Sequence, residues 1–356
     1  MRVDRRTLYQ ALKKLLPLMS KQPDDDAAHV TLRSAGGAKL AISASTEDVQ
    51  LTCLLPADGY FVGRLPGRWL AKLVKPSSRG REDVGLEVHD EHTAKVEVGG
   101  VVVKAALHSA GSANPVPGGD GDWSNPTKLP AAAMNDLLSF VLPAMSKDVG
   151  RPHLCTLLLD RQCAVTTDGH RLMAARLPGV LPQPLLVEAF VAKMLSSIIS
   201  DGDELVLQST DTHLRAMVGP WTLIARVRPN DFPPFRQVIP DPESLTARVE
   251  VDARALAGAL DTLRPLTDGV VQLRVNGAIT LSTWCSTLGE AEVEIPTIES
   301  NHAGDDLVVG LDPAYLEAAL AKTRQPVVLS VGGPLDPVRI DHPDGRLAVV
   351  MPRRLV

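Results

Sequence analysis

VDRRTLYQALKKLLP, residues 3–17, decides the fold, because the chain writes it twice more. LPAAAMNDLLSFVLP (129–143) and VDARALAGALDTLRP (251–265) keep its frame. Val3, Leu8, Leu12 and Pro17 answer to Leu129, Met134, Leu138 and Pro143, and to Val251, Leu256, Leu260 and Pro265. The paired apolar residues stand one helical turn apart. Proline lacks an N–H and clashes with the preceding turn, so it stops each helix. Starts at positions 3, 129 and 251 divide the 356 residues into three similar units.

A second helix is predicted about halfway through each unit, in PGRWLAKLVKP from Pro66, EAFVAKMLSSIIS from Glu188 and DPAYLEAALAKTR from Asp312. Asp312-Pro313 is a start signal, a capping carboxylate followed by a first-turn proline. Between the helices lie alternating strand-like runs with turn pairs at Gly36-Gly37, Arg161-Gln162 and Asn276-Gly277, the last being the strongest hairpin signal. These regions close at Leu55-Pro56, Leu177-Pro178 and Ile295-Pro296. The expected class is α+β, with two helices on antiparallel sheets in each of three domains: 1–125, 126–243 and 244–356. Such repetition suits an architecture built by symmetry rather than around one catalytic cleft.

Hydrophobic residues make up 44% of the chain and charged residues 22%, a globular composition. No apolar run is long enough to span a bilayer, and the N-terminal MRVDRRTLYQALKK has no signal-peptide centre. Four cysteines without CxxC spacing read as reduced thiols of a cytoplasmic protein. There is no GxSxG, no phosphate-binding glycine loop, no HExxH and no metal-spaced Cys/His cluster, so neither enzyme, metal nor cofactor is expected. The net charge of −5 argues against a simple DNA-binding surface. Its placement argues otherwise. The helix windows 4–17, 66–76, 130–143, 187–200, 251–265 and 312–325 hold twelve bases and seven acids, leaving the surplus of acid to the rest of the chain.

Three further stretches carry a resemblance: Thr167-Asp168-Gly169-His170-Arg171-Leu172; Asp231-Phe232-Pro233-Pro234-Phe235-Arg236-Gln237-Val238-Ile239-Pro240; and the terminal Val349-Val350-Met351-Pro352-Arg353-Arg354-Leu355-Val356. Taken alone, the first is good turn chemistry and the last a basic tail. In this order on a threefold repeat, they resemble the beta subunit of bacterial DNA polymerase III, the sliding clamp. The resemblance implies the DNA clamp fold, half of a six-domain ring completed by a second, head-to-tail chain. It implies a processivity factor without catalytic residues, acting in the cytoplasm at the nucleoid. The partners implied are double-stranded DNA of any sequence, the polymerase III catalytic subunit, the clamp loader and other proteins with a clamp-binding motif.

By the same resemblance a groove between domains two and three receives partner peptides. Its residues are Leu154, Thr167, Gly169, His170, Arg171, Leu172, Pro233, Gln237, Val238, Tyr315, Pro337, Val349, Val350, Met351, Pro352, Arg353, Arg354 and Leu355. Arg171 and Arg354 are expected to be exposed and to steer acidic flanks. Helix charge nominates Lys13, Lys14, Arg68, Lys72, Lys193, Arg254, Lys322 and Arg324 for phosphate contacts. Positions matching the family's DNA-contacting loops add Lys21, Lys147 and His153, and Arg151 completes the set. An edge strand with Val101, Val103, Ala105 and Leu107, beside a domain-three helix ending near Leu263, is the expected dimer interface.

Departures from the family's pattern gather in the first domain, at Lys21–Asp26 and His108–Pro115. Glu188–Ala192 lacks the customary basic turn, and Gln237 stands where arginine is common. A repeat scaffold that binds only proteins is the alternative reading. It shares the symmetry but has no need of basic helices.

Overall fold

In the computed structural model six α-helices form among the described residues: α1 (Arg5–Leu15), α2 (Gly67–Leu73), α3 (Ala131–Val141), α4 (Ala189–Ile198), α5 (Ala253–Leu263) and α6 (Pro313–Leu320). Described are all residues except 23–24, 77–82, 111–120, 200–201, 230, 288, 303–304 and 356. Most of the closing stretch of domain one, and Val356 of the terminal motif, therefore lie outside the described residues, as do two positions of Lys21–Asp26.

α1, α3 and α5 are the three copies of the repeat, and each passes into a 3-10 turn that carries the repeat's proline near its start: Leu16–Leu18, Leu142–Ala144 and Arg264–Leu266. The apolar pairs Leu8/Leu12, Met134/Leu138 and Leu256/Leu260 are all fully buried. Asp4 caps α1 by accepting the Thr7 N–H at 2.7 Å, and Asp252 caps α5 through the N–H groups of Arg254 and Ala255. The second helices also form. α6 stops at Leu320, short of the expected 325, and Lys322 beyond it takes a left-handed φ of 61°.

The three turn pairs join hairpins as expected, with Gly37 and Gly277 at positive φ. One strand boundary differs. The strand Val49–Asp58 runs through Pro56 rather than ending before it. Facing the neighbouring strand, Ala57 donates to Ala38 O at 3.0 Å, so that ladder asks no N–H of the proline.

Packing divides the chain into two compact units, Met1–Asn135 with Lys193–Pro229, and Asp136–Ala192 with Asn230–Val356. These units cut the middle repeat in two, because sheets run on from one repeat into the next. In the first unit Val49–Asp58 pairs with Trp221–Arg226, and the sheet ends on one side at the edge strand Val101–Ala106. In the second unit Arg171–Arg176 pairs with Leu347–Val350, with Leu172 opposite Val349. A separate four-stranded sheet there has Gly289–Ile295 at one edge and Leu307–Leu311 at the other. Cys155, Cys163 and Cys285 are free thiols, and among the described residues no helix is long and apolar enough to cross a membrane.

Candidate functional site

The pairing of Arg171–Arg176 with Leu347–Val350 brings the first and third motifs together in the second unit. Between Thr167 and Arg171 the chain reverses over Gly169, whose φ of 89° is open to glycine at no cost. Asp168 Oδ1 accepts the N–H groups of His170 (2.9 Å) and Arg171 (3.0 Å), while Thr167 Oγ1 donates to Arg171 O at 2.7 Å. His170 O then accepts the Met351 N–H at 2.8 Å, fastening the C-terminal segment to this turn.

Arg171 is not the exposed steering charge expected from sequence; its side chain is only 15% exposed. Its Nε donates to Asp168 Oδ2 at 3.0 Å, its Nη2 to Pro143 O at 2.5 Å, and its guanidinium lies 4.4 Å from the centre of the Tyr315 ring. Such a cation–π contact contributes about 2 kcal/mol when desolvated. Burial, and then the carboxylates of Asp168 and Asp312, push the Tyr315 phenol above its ordinary pKa. Arg171 is a clasp, tying the turn to α6.

Beside this clasp lies a cavity of about 410 Å³. Of the residues assigned to the groove, Leu154, Thr167, Gly169, Arg171, Leu172, Pro233, Gln237, Val238, Val349 and Met351 line it. Leu172, Val349 and Phe235 belong to one buried apolar cluster that makes its floor, whereas Val238 and Met351 are exposed at its wall. Pro234 and Phe235 also line the cavity and were missed, although both stand in the quoted motif. The signal was there: an aromatic after two prolines, in a 3-10 turn (Phe235–Val238), is held rigidly against the floor. Arg151 and His153, nominated for phosphate, line this same cavity.

The rest of the assigned groove stands outside this lining. His170, Tyr315, Pro337, Val350, Pro352, Arg353, Arg354 and Leu355 are not among the lining residues. Val350 is buried in the sheet between Arg171 and Val338. Arg353 bridges by its backbone to Gly310 and pairs through Nη2 with Asp312 Oδ2 at 2.9 Å. Gly310 leaves room for this crossing, since a Cβ there would lie 2.6 Å from Arg353 O and 2.8 Å from a Leu355 methyl.

The basic residues are distributed unevenly. α1 carries Arg5, Arg6, Lys13 and Lys14 with no acid, and α2 carries Arg68 and Lys72 with none; α3 and α6 bear acid and no base. Arg68 is occupied, donating to the backbone oxygens of Leu16, Met19 and Ser20. It therefore holds the end of α1 rather than standing ready for phosphate. Lys14 lies over the Trp221 ring at 5.5 Å, while Lys13, Lys21, Lys72, Lys147, Lys193, Arg254, Lys322 and Arg324 are exposed.

At the edge strand Val101 and Val102 are 60% and 58% exposed, Val103 and Leu107 are half-buried, and Ala105 is buried. Leu263 is 1% exposed, a core side chain of its own unit, and offers no surface to a second chain.

Antiparallel sheets with three copies of the same helix-and-turn segment, and an apolar cavity beside the terminal strand, make up a fold of the DNA-clamp type. The comparisons agree. The structure superposes on the beta sliding clamp of Caulobacter crescentus with a TM-score of 0.88, at 21% identity over 99% of this chain and 98% of that one. The polymerase III beta subunit of Pseudomonas aeruginosa gives 0.86, at 20% identity over 99% of each chain. In sequence the chain is 25% identical to the beta sliding clamp of Proteus mirabilis over 255 residues, 66% of this chain and 67% of that protein. It is 26% identical to that of Caulobacter vibrioides over 202 residues, 54% of each. No protein-family model matches. The chain is thus similar to bacterial beta sliding clamps in sequence at about a quarter identity, and shares their fold over its whole length.

Proposed function

We propose that this protein is a DNA sliding clamp: a ring around duplex DNA that tethers the replicative polymerase and other replication and repair proteins. The observation that carries the reading is the threefold repeat folded, over its whole length, as a clamp chain. A ring needs no tight grip on its track. Weak, sequence-independent phosphate contacts that break and re-form permit sliding, and the exposed lysines of α1 and α2 suit that task. Two chains close head to tail by heterologous contacts. The exposed edge Val101–Ala106 of one adds to the edge Gly289–Ile295 of the other, which covers an otherwise aggregation-prone edge. Lys104, directly opposite Lys95 in its own sheet, brings positive charge, whereas Glu290, Glu292 and Glu294 alternate along one face of the other edge.

The cavity of the second unit takes short peptides of the polymerase III catalytic subunit, the clamp loader and other clamp-binding proteins. Two apolar side chains buried at roughly 1.5–3 kcal/mol each, less the cost of ordering the peptide, leave affinities of order micromolar. The protein itself catalyses nothing and works in the cytoplasm at the nucleoid, in domains 1–125, 126–243 and 244–356. The test is primer extension on a circular template with the cognate polymerase and loader. Longer products per binding event are expected when the protein is added, an effect of effective concentration. No gain in product length with all components present would remove the clamp reading and leave the protein-only scaffold.

A further inference from the structure

The cavity's lining ends at Met351, and two residues further on the chain carries an ion pair. Arg353 and Asp312 approach to 2.9 Å, with the guanidinium side chain 49% exposed and the carboxylate side chain 17%. Asp312 has a second duty as the cap of α6, accepting the Ala314 N–H on Oδ1 at 2.9 Å. The pair stands outside the cavity's lining but is tied to it by contacts, since Arg171 of the lining stacks on Tyr315 and the Tyr315 N–H donates to Asp312 O at 3.1 Å. The Tyr315 phenol is within electrostatic reach of Asp312 and Arg353 as well as Asp168 and Arg171. The two arginines that line the cavity behave differently. Arg171 is committed to Asp168, Pro143 and the ring, and Arg151 is held by Asp148 three residues away in its own loop. Arg353 alone of the three is paired with an acid from a distant element.

We propose that Arg353 is a carboxylate subsite of the groove, with Asp312 as its resident competitor. The occupant it selects is a short peptide that puts an apolar side chain into the cavity and an acidic residue just beyond it. This rests on the reading of the cavity as a peptide groove. A guanidinium presents five N–H donors in a fork matched to carboxylates. Asp312 engages the donor at Nη2, and about half of the Arg353 side chain stays open to solvent, 49% exposed. Because Asp312 is anchored by its cap bond, it neutralises Arg353 in the empty groove and yields only part of the guanidinium when an acid arrives. The groove is thus tuned against non-specific anions.

The experiment uses two labelled peptides identical but for an aspartate or an asparagine after a leucine-phenylalanine pair, titrated into the full-length protein by fluorescence anisotropy. The aspartate peptide should bind wild type about fivefold more tightly at low salt, with the difference shrinking as salt rises, as for a partly exposed ion pair. Arg353→Gln should bind both peptides alike, at the asparagine peptide's affinity. Asp312→Asn keeps the helix cap, since asparagine also accepts at that position, and should widen the preference without changing binding of the asparagine peptide. Equal affinities for wild type would overturn the proposal, as would a preference that survives Arg353→Gln or is lost in Arg151→Gln instead. If neither peptide binds, the groove reading itself falls and this proposal with it.

Discussion

His342 is the residue whose chemistry is most constrained. It is buried, its ring meets Phe140 edge-on with centroids 5.2 Å apart, and its Nδ1 lies 3.0 Å from Thr323 Oγ1. Burial, aided by the Arg346 guanidinium, holds its pKa down to about 4 from the ordinary 6.5. The unfolded chain therefore binds a proton that the folded chain refuses. Stability is fully present above about pH 6.5 and is lost as pH falls from there towards 4. The loss is roughly 3 kcal/mol in all, at about 1.4 kcal/mol per unit. Urea melts at pH 7.5 and 5 should show it, and His342→Leu should flatten that dependence; an unchanged slope in the variant would place the acid sensitivity elsewhere. Asp252 is a simpler case. Asp252→Ala removes the acceptor for the Arg254 and Ala255 N–H groups, and the same melts should report a loss of about 1 kcal/mol.

At the scale of elements, the edge strand Val101–Ala106 makes the clearest prediction. Val103→Glu adds a carboxylate to an edge proposed to meet Glu290, Glu292 and Glu294, so sedimentation at micromolar concentration should shift from dimer to monomer; a variant that stays dimeric would move the interface elsewhere. The elements themselves were largely legible in the sequence. Leu8/Leu12, Met134/Leu138 and Leu256/Leu260 are periodic, and periodicity reports burial directly. Pro17, Pro143 and Pro265 act locally, so their turns could be placed. What was not legible depends on partners far off in the chain. Nothing near Arg171 announces Tyr315, and nothing near Arg353 announces Asp312, so Arg171 read as a free charge and Arg353 only as one more residue of the groove. The pairing of Val49–Asp58 with Trp221–Arg226, which splits the middle repeat between packing units, is equally silent in local pattern. Pro56 was misplaced because a proline's effect depends on which side of a strand must donate.

Across the whole molecule the charge is the feature that composition hides. A chain of net charge −5 carries bases without acids on α1 and α2. The proposed ring would grip DNA through these helices first. Lys13→Ala with Lys72→Ala should therefore lower the salt slope of duplex binding by about two, near 0.9 for each phosphate no longer neutralised. Arg68→Ala should cost stability instead, because that side chain ties down three carbonyls of the turn after α1. The central claim, a ring that holds DNA by topology, is tested most directly by retention. Protein placed on a nicked circular duplex by the cognate loader is passed through a sizing column in high salt, before and after one restriction cut. Co-elution with the circle and prompt loss once the DNA is linear are expected. Equal retention on circular and linear DNA would contradict the central claim.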